Sequence, residues 1–174
     1  IWALGFVRTF APIMANLPVS HAAPLDDAVA AKIRASFDQQ GVMTHWGALL
    51  SHLADGHCDI SLPFSDKVNQ QHGFFHGGVI GAIADSAGGY AGYTRISPDQ
   101  ELVTAEYKLN ILAPGKGDTL IGRGQVVKAG RTLIVATAEL FVVDDDKWTL
   151  CALMQQTLFV LAASPSATSS PKTR

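Results

Sequence analysis

Apolar residues crowd every side of one stretch of this chain and alternate with polar ones through most of the residues beyond it. From residue 76 to residue 94 nearly every position is small or apolar, and Asp85 is the one acid. Apolar residues that recur on all faces rather than on one stripe predict a helix buried on almost every side. Upstream, residues 26–37 carry acids first, basic residues later, and Val29, Ile33 and Phe37 at four-residue intervals. That pattern predicts a short amphipathic helix ending before Gly41 and packing on the outside of the domain. Residues 46–54 and 58–64 read as two strands joined by the hairpin turn Asp55-Gly56-His57, and a polar loop over 65–71 leads to the central helix.

After that helix the period changes to two. Residues 102–112 place Val103, Ala105, Tyr107, Leu109 and Ile111 on one face and Thr104, Glu106, Lys108 and Asn110 on the other. Residues 119–128, 131–143 and 147–161 come next as strands separated by turn-forming residues. Two strands, a long helix and then a run of strands is an α+β pattern in which a sheet of about six strands curls around the helix. The expected organisation is an extraneous or disordered segment over 1–25, one domain over 26–161 and a Ser/Thr/Pro-rich disordered tail over 162–174.

Bulk properties narrow the class. With 174 residues, 48% hydrophobic and 16% charged, the chain is large enough for one well-packed core. A net charge of −2 without a Lys/Arg cluster leaves no electrostatic footprint for nucleic acid. The apolar opening around Ile1-Trp2-Ala3-Leu4 is interrupted by Arg8 and Pro12, too short for a membrane span. No basic segment precedes it, which argues against a secretion signal, and Met14 is the expected natural start. Cys58 and Cys151 have neither metal nor disulfide-framework spacing and suit a reducing, cytoplasmic setting as small core residues.

The chemistry gathers at the central helix. A carboxylate on so apolar a helix loses solvation that a partner must offset, which makes Asp85 the first catalytic candidate. Gly77 and Gly78 open the helix, where N–H groups lack intrahelical partners and the dipole is positive, so an oxyanion fits there. Eight positions separate Gly77 from Asp85, about 12 Å of rise, too far for both to touch one carbonyl. Two antiparallel copies of the helix solve this, setting the Gly77 end of one beside Asp85 of the other across a two-fold interface. His72 and His76 precede the helix without a third ligand at workable spacing, so no metal is expected. Ser86 lacks the Gly-x-Ser-x-Gly elbow and is expected to be structural.

Gln70-Gln71-His72-Gly73-Phe74-Phe75-His76-Gly77-Gly78 followed by Asp85-Ser86-Ala87-Gly88-Gly89-Tyr90-Ala91 resembles the signature of hotdog-fold acyl-CoA thioesterases of the phenylacetate-pathway (PaaI) type. The resemblance covers roughly residues 45–160. It implies a long helix wrapped by an antiparallel sheet, and hydrolysis of aryl or short- to medium-chain acyl-CoA to free acid and CoA. The Gly77 N–H would polarise the carbonyl, and Asp85 of the facing subunit would be nucleophile or general base. Gln70, at a position where many relatives carry asparagine, would orient water or the carboxylate, and Thr104 matches an assisting hydroxyl of some members. His76 is expected to fix the loop, Gly78 to line the site, and Phe74, Phe75 and Tyr90 to wall an acyl cleft. Lys128 and Arg131, with Arg123 and Lys116, would meet the phosphates of CoA, which enters as substrate and not as a cofactor. The implied assembly is a homodimer or a dimer of dimers, with no nucleic-acid or membrane partner. Two other readings are an acyl-CoA sensor without catalysis and a hydratase of the same fold; the latter usually pairs its acid with a helix histidine, absent here past His76.

Overall fold

The computed structural model describes residues 23–161. The expectations for a start at Met14, for the leader upstream and for the tail over 162–174 lie outside the described residues.

Asp26 caps the first helix, α1 (Asp27–Asp38), by accepting from the N–H groups of Ala28 at 2.9 Å and Val29 at 3.3 Å. Ile33 and Phe37 are its buried residues, so the four-residue spacing is the packing stripe. Residues 41–46 depart from the sequence reading. They form a short helix, α2 (Gly41–Trp46), that stops at Gly47 in the left-handed region at φ 77°, and the first strand begins only at Leu49. Met43 is the buried residue of that helix. A single anchored turn of this kind leaves no periodic signal.

Strands β1 (Leu49–Ala54) and β2 (His57–Pro63) form the expected hairpin, the central helix α3 (Gly77–Tyr93) follows, and β3 (Glu101–Ile111), β4 (Thr119–Ala129), β5 (Leu133–Asp144) and β6 (Lys147–Leu161) complete the fold. All six strands make one antiparallel sheet in the order β1-β2-β4-β5-β6-β3. Thus β4-β5-β6 is a meander, whereas β3 pairs with β6 at the far edge. The 17 residues of α3, about 25 Å at 1.5 Å per residue, carry the chain across the sheet to reach that edge.

The helix lies flush on the sheet because the strand beneath it has no side chain in the way. A Cβ at Gly124 of β4 would stand 2.1 Å from the Ala87 carbonyl oxygen and 2.6 Å from the Gly88 nitrogen, both backbone atoms with no rotamer to yield. Gly124→Ala is therefore expected to destabilise the protein by about 3 kcal/mol, the upper end of overpacking costs. The check is a fall in Tm of roughly 6–12 °C, by calorimetry.

The helix is buried on most sides, as its apolar composition predicts, with one exception: Gly78, Ala82, Asp85, Ser86, Gly89 and Tyr93 form an open stripe at helical spacing, while the remaining residues from Val79 to Gly92 are buried. The expectation that does not hold concerns the faces of β3, because a bulge between Thr104 and Glu106 shifts the register against β6. Thr104 pairs with Leu158, Tyr107 with Gln156 and Leu109 with Met154, and those β6 residues are buried. Residues opposite each other share a face, so Thr104 joins Tyr107, Leu109 and Ile111 on the helix side and Val103 points outward. Among the described residues, β3 pairs on one edge only.

Candidate active site

Asp85 sits mid-helix on the open stripe of α3 and is half-buried. Its Oδ1 accepts a hydrogen bond from Thr104 Oγ1 at 2.8 Å, a contact that exists because the β3 bulge turns the threonine inward. One carboxylate oxygen is thereby fixed, and the residue lines a cavity of about 250 Å³. The cavity is bounded by Leu102, Thr104 and Leu158 from the sheet, by Gly89 and Tyr90 from the helix, by Ser36 at the end of α1 and by Gln40 in the linker after it.

Behind Asp85 the backbone is held by a residue that the sequence reading missed. Gln156 is fully buried on the inner face of β6, and its Nε2 donates to the Asp85 carbonyl at 3.2 Å. It fits there because Gly88 has no side chain; a Cβ at Gly88 would meet the Gln156 amide at 2.9 Å. The signal was present in the alternation of β6, where Gln156 is the polar member of the inward series Ala152, Met154, Leu158 and Val160.

The other end of the helix is prepared differently. His76 is its N-cap, and Nδ1 accepts from the Gly78 N–H at 2.9 Å. The Gly78 amide expected to face substrate is thus committed to the cap. The Gly77 N–H has no hydrogen-bond partner among the described residues, and it stands at the positive end of the dipole. Ile111 of β3 approaches this point, its Cδ1 lying 3.2 Å from where a Gly77 Cβ would be.

Gln70 lies in the loop before the helix, its side-chain oxygen accepting from the His72 N–H and its backbone N–H donating to Phe74 O at 2.8 Å. The loop is thereby closed on itself, and the Gln70 side-chain nitrogen has no hydrogen-bond partner among the described residues. Phe74 is half-buried, whereas Phe75 belongs to the core, edge-on to Phe64 with ring centroids 5.2 Å apart, and is no cleft wall. Tyr90 does line the cavity. Lys128 and Arg131 are exposed at the turn between β4 and β5, and Lys116 is exposed as well. Arg123 is instead bound to buried Asp59 at 3.3 Å and lies over Phe141, so it is not a free cation for phosphate. Burial raises the thiols of Cys58 and Cys151, the latter to about 11, which suits inert core residues. Among the described residues no group of three or more His, Cys, Asp or Glu is placed to hold a metal ion, and no helix is long and apolar enough to cross a membrane.

Within one chain the two halves stay apart. Asp85 and Thr104 meet at the cavity, and the Gly77 N–H lies about 12 Å away along the same helix.

Known proteins resemble the chain in both sequence and fold. The profile of the thioesterase superfamily matches residues 72–149, the stretch from the loop before α3 to the start of β6. A thioesterase family protein from Silicibacter pomeroyi has a crystal structure with 38% sequence identity and a TM-score of 0.76, covering 78% of this chain and 99% of that one. The PaaI protein of the E. coli phenylacetic acid degradation operon shares the fold at 20% identity, with a TM-score of 0.69 over 78% of this chain and 95% of its own. Among sequence relatives, the 1,4-dihydroxy-2-naphthoyl-CoA hydrolase of Listeria monocytogenes is 24% identical over 111 residues, 64% of this chain and 89% of the relative.

Proposed function

This chain belongs to the thioesterase superfamily and has its hotdog fold, and we propose that it hydrolyses acyl-CoA thioesters, aryl or short- to medium-chain, to the free acid and CoA. The observation that carries the proposal is the Asp85 carboxylate, fixed through one oxygen by Thr104 at 2.8 Å on a residue that lines a cavity. That is the arrangement a nucleophile or general base needs: oriented, and not consumed by an ion pair. A CoA thioester is also the substrate named for the Listeria relative.

In this reading the thioester carbonyl oxygen rests on the Gly77 N–H of one subunit, and charge that develops on it is stabilised by the helix terminus. Asp85 of a second subunit, the one in the same chain lying about 12 Å away along the helix, then acts on the carbonyl carbon or on a water beside it. It attacks directly, giving a mixed anhydride that water opens, or it takes a proton from a water held with the Gln70 amide. Both routes consume one water and release a carboxylate and the CoA thiol, and neither draws on a metal or redox cofactor. The unpaired edge of β3 supports the two-subunit arrangement. Tyr107 and Ile111, both on the helix side of that strand, are 50% and 54% exposed, an apolar surface that a second copy would cover as a homodimer or a dimer of dimers.

The test is free-thiol release from aryl-, short-, medium- and long-chain acyl-CoAs. Turnover is expected on compact acyl groups. Absence of turnover on every member of the panel, with CoA thioesters still bound, would replace the enzyme by a binding module.

A further inference from the structure

Gln156 is the anomaly of an otherwise apolar contact between α3 and the sheet. On the inner face of β6 it stands between Met154 and Leu158, opposite Ala136 of β5, and all four residues are buried. Its amide makes one hydrogen bond, from Nε2 to the Asp85 carbonyl at 3.2 Å. The acceptor fixes which end is nitrogen, because an amide oxygen in that place would face another oxygen. The opposite end, Oε1, is buried and has no hydrogen-bond partner among the described residues.

Stability does not account for this residue. A carbonyl in a helix interior is ordinarily served by the N–H four residues on, so Gln156 brings a second donor to an acceptor that helix formation already satisfies. Oε1 gives up its hydration on folding and gains no bond in return. Gly88 lowers stability further, since alanine would favour the helix there, but its Cβ would strike the Gln156 amide at 2.9 Å. The chain thus keeps two unfavourable residues in contact with each other, and both lie against the main chain that carries Asp85.

What the amide supplies is direction. Gly124 presents no side chain to α3, and apolar burial is non-directional, so packing at that point opposes neither a small slide nor a small turn of the helix. Among the described residues, the sheet makes two hydrogen bonds to α3 before its last residue, Tyr93: Thr104 Oγ1 to the Asp85 carboxylate and Gln156 Nε2 to the Asp85 carbonyl. Both end on Asp85, and they come from the paired strands β3 and β6. Resting on the thioesterase reading above, we propose that Gln156 is a positioning residue for the reaction: it fixes the main chain of Asp85 on β6 while Thr104 fixes the carboxylate, and the protein keeps it although an apolar residue would make the fold more stable. The acid is thereby held at one place relative to a carbonyl bound on a second subunit. Gln156 itself touches no substrate, so its loss acts on kcat and leaves binding alone.

The test is Gln156→Met, which keeps the length of the side chain and removes both polar atoms. It is expected to raise Tm by roughly 2–4 °C in calorimetry and to lower kcat on acyl-CoA about tenfold with KM within about twofold of wild type. Gln156→Leu is expected to show the same two signs, so the outcome does not rest on one side chain. In an Asp85→Asn background, Gln156→Met is expected to bring no further fall in the residual rate, because the orientation it holds is no longer used. A purely structural role predicts that Tm and kcat fall together, or that the residual rate falls again by the same factor. Either result, or an unchanged kcat, overturns the inference and leaves the thioesterase reading standing. If wild type turns over no thioester, that reading fails on its own and amide hydrogen exchange decides the role of Gln156. Faster exchange over residues 85–89 in Gln156→Met, despite a raised Tm, supports the clamp, and exchange that is unchanged or slower there overturns it.

Discussion

Asp85→Asn is expected to lower kcat/KM on every acyl-CoA by about 10²–10⁴, the range that a general base supplies. Asparagine has the size of aspartate and still offers Oδ1 to the Thr104 hydroxyl, so the 2.8 Å contact survives while the negative charge does not. The position is half-buried on the open stripe, where an amide is readily solvated. Unfolding is thus no explanation for the loss, and an unchanged Tm by calorimetry verifies it. The fall should lie in kcat rather than KM, as removal of an interaction made in the transition state requires. Thr104→Val, which frees the carboxylate to rotate but keeps its charge, is expected to cost only about tenfold, the value of one hydrogen bond. Equal turnover by wild type and Asp85→Asn would remove Asp85 from the chemistry.

The central helix was legible because a run of seventeen residues, small or apolar at every position but Asp85, admits few other structures, and that lone acid was legible as an anomaly. The glycine terminus and its distance from Asp85 followed from helix geometry alone. What the local pattern misjudged were the long-range relations. Strict alternation through residues 102–112 put Thr104 with Glu106 and Lys108, and one bulge at that point sends it to the helix side instead. No local signal marks the bulge. It is set by how β3 docks on β6, a strand about fifty residues later in the chain. The same is true of sheet order, since β3 follows the helix directly yet pairs with the last strand. Ser36 falls within the amphipathic stretch over 26–37 and Gln40 beyond it, and only the fold of α1 over α3 brings both to Tyr90. Asp85 itself was expected in apolar surroundings; the helix has an open side there, and the carboxylate is half-buried.

Gly77→Pro is expected to cost about 10²–10³ in kcat, the effect of deleting one oxyanion donor, with the helix intact. Proline lacks the N–H in question, and N1 of a helix is the position that tolerates it best. The preceding residue is already compatible, because His76 has φ −64° and ψ 139°, the extended region that a following proline demands. A Cβ at this position meets only Ile111 Cδ1, at 3.2 Å, the far end of a side chain on an exposed edge strand. The decisive measurement combines this variant with Asp85→Asn. Each alone should be nearly inactive. Co-expressed in equal amounts and assembling at random, half of the dimers are mixed, and in each mixed dimer one site joins the intact Gly77 of one chain to the intact Asp85 of the other. About a quarter of wild-type activity should return. A site contained within one chain predicts no recovery, since every chain then carries one broken half. The recovered activity therefore reports directly whether the 12 Å between amide and acid (about 1.5 Å per residue) is bridged by a second copy.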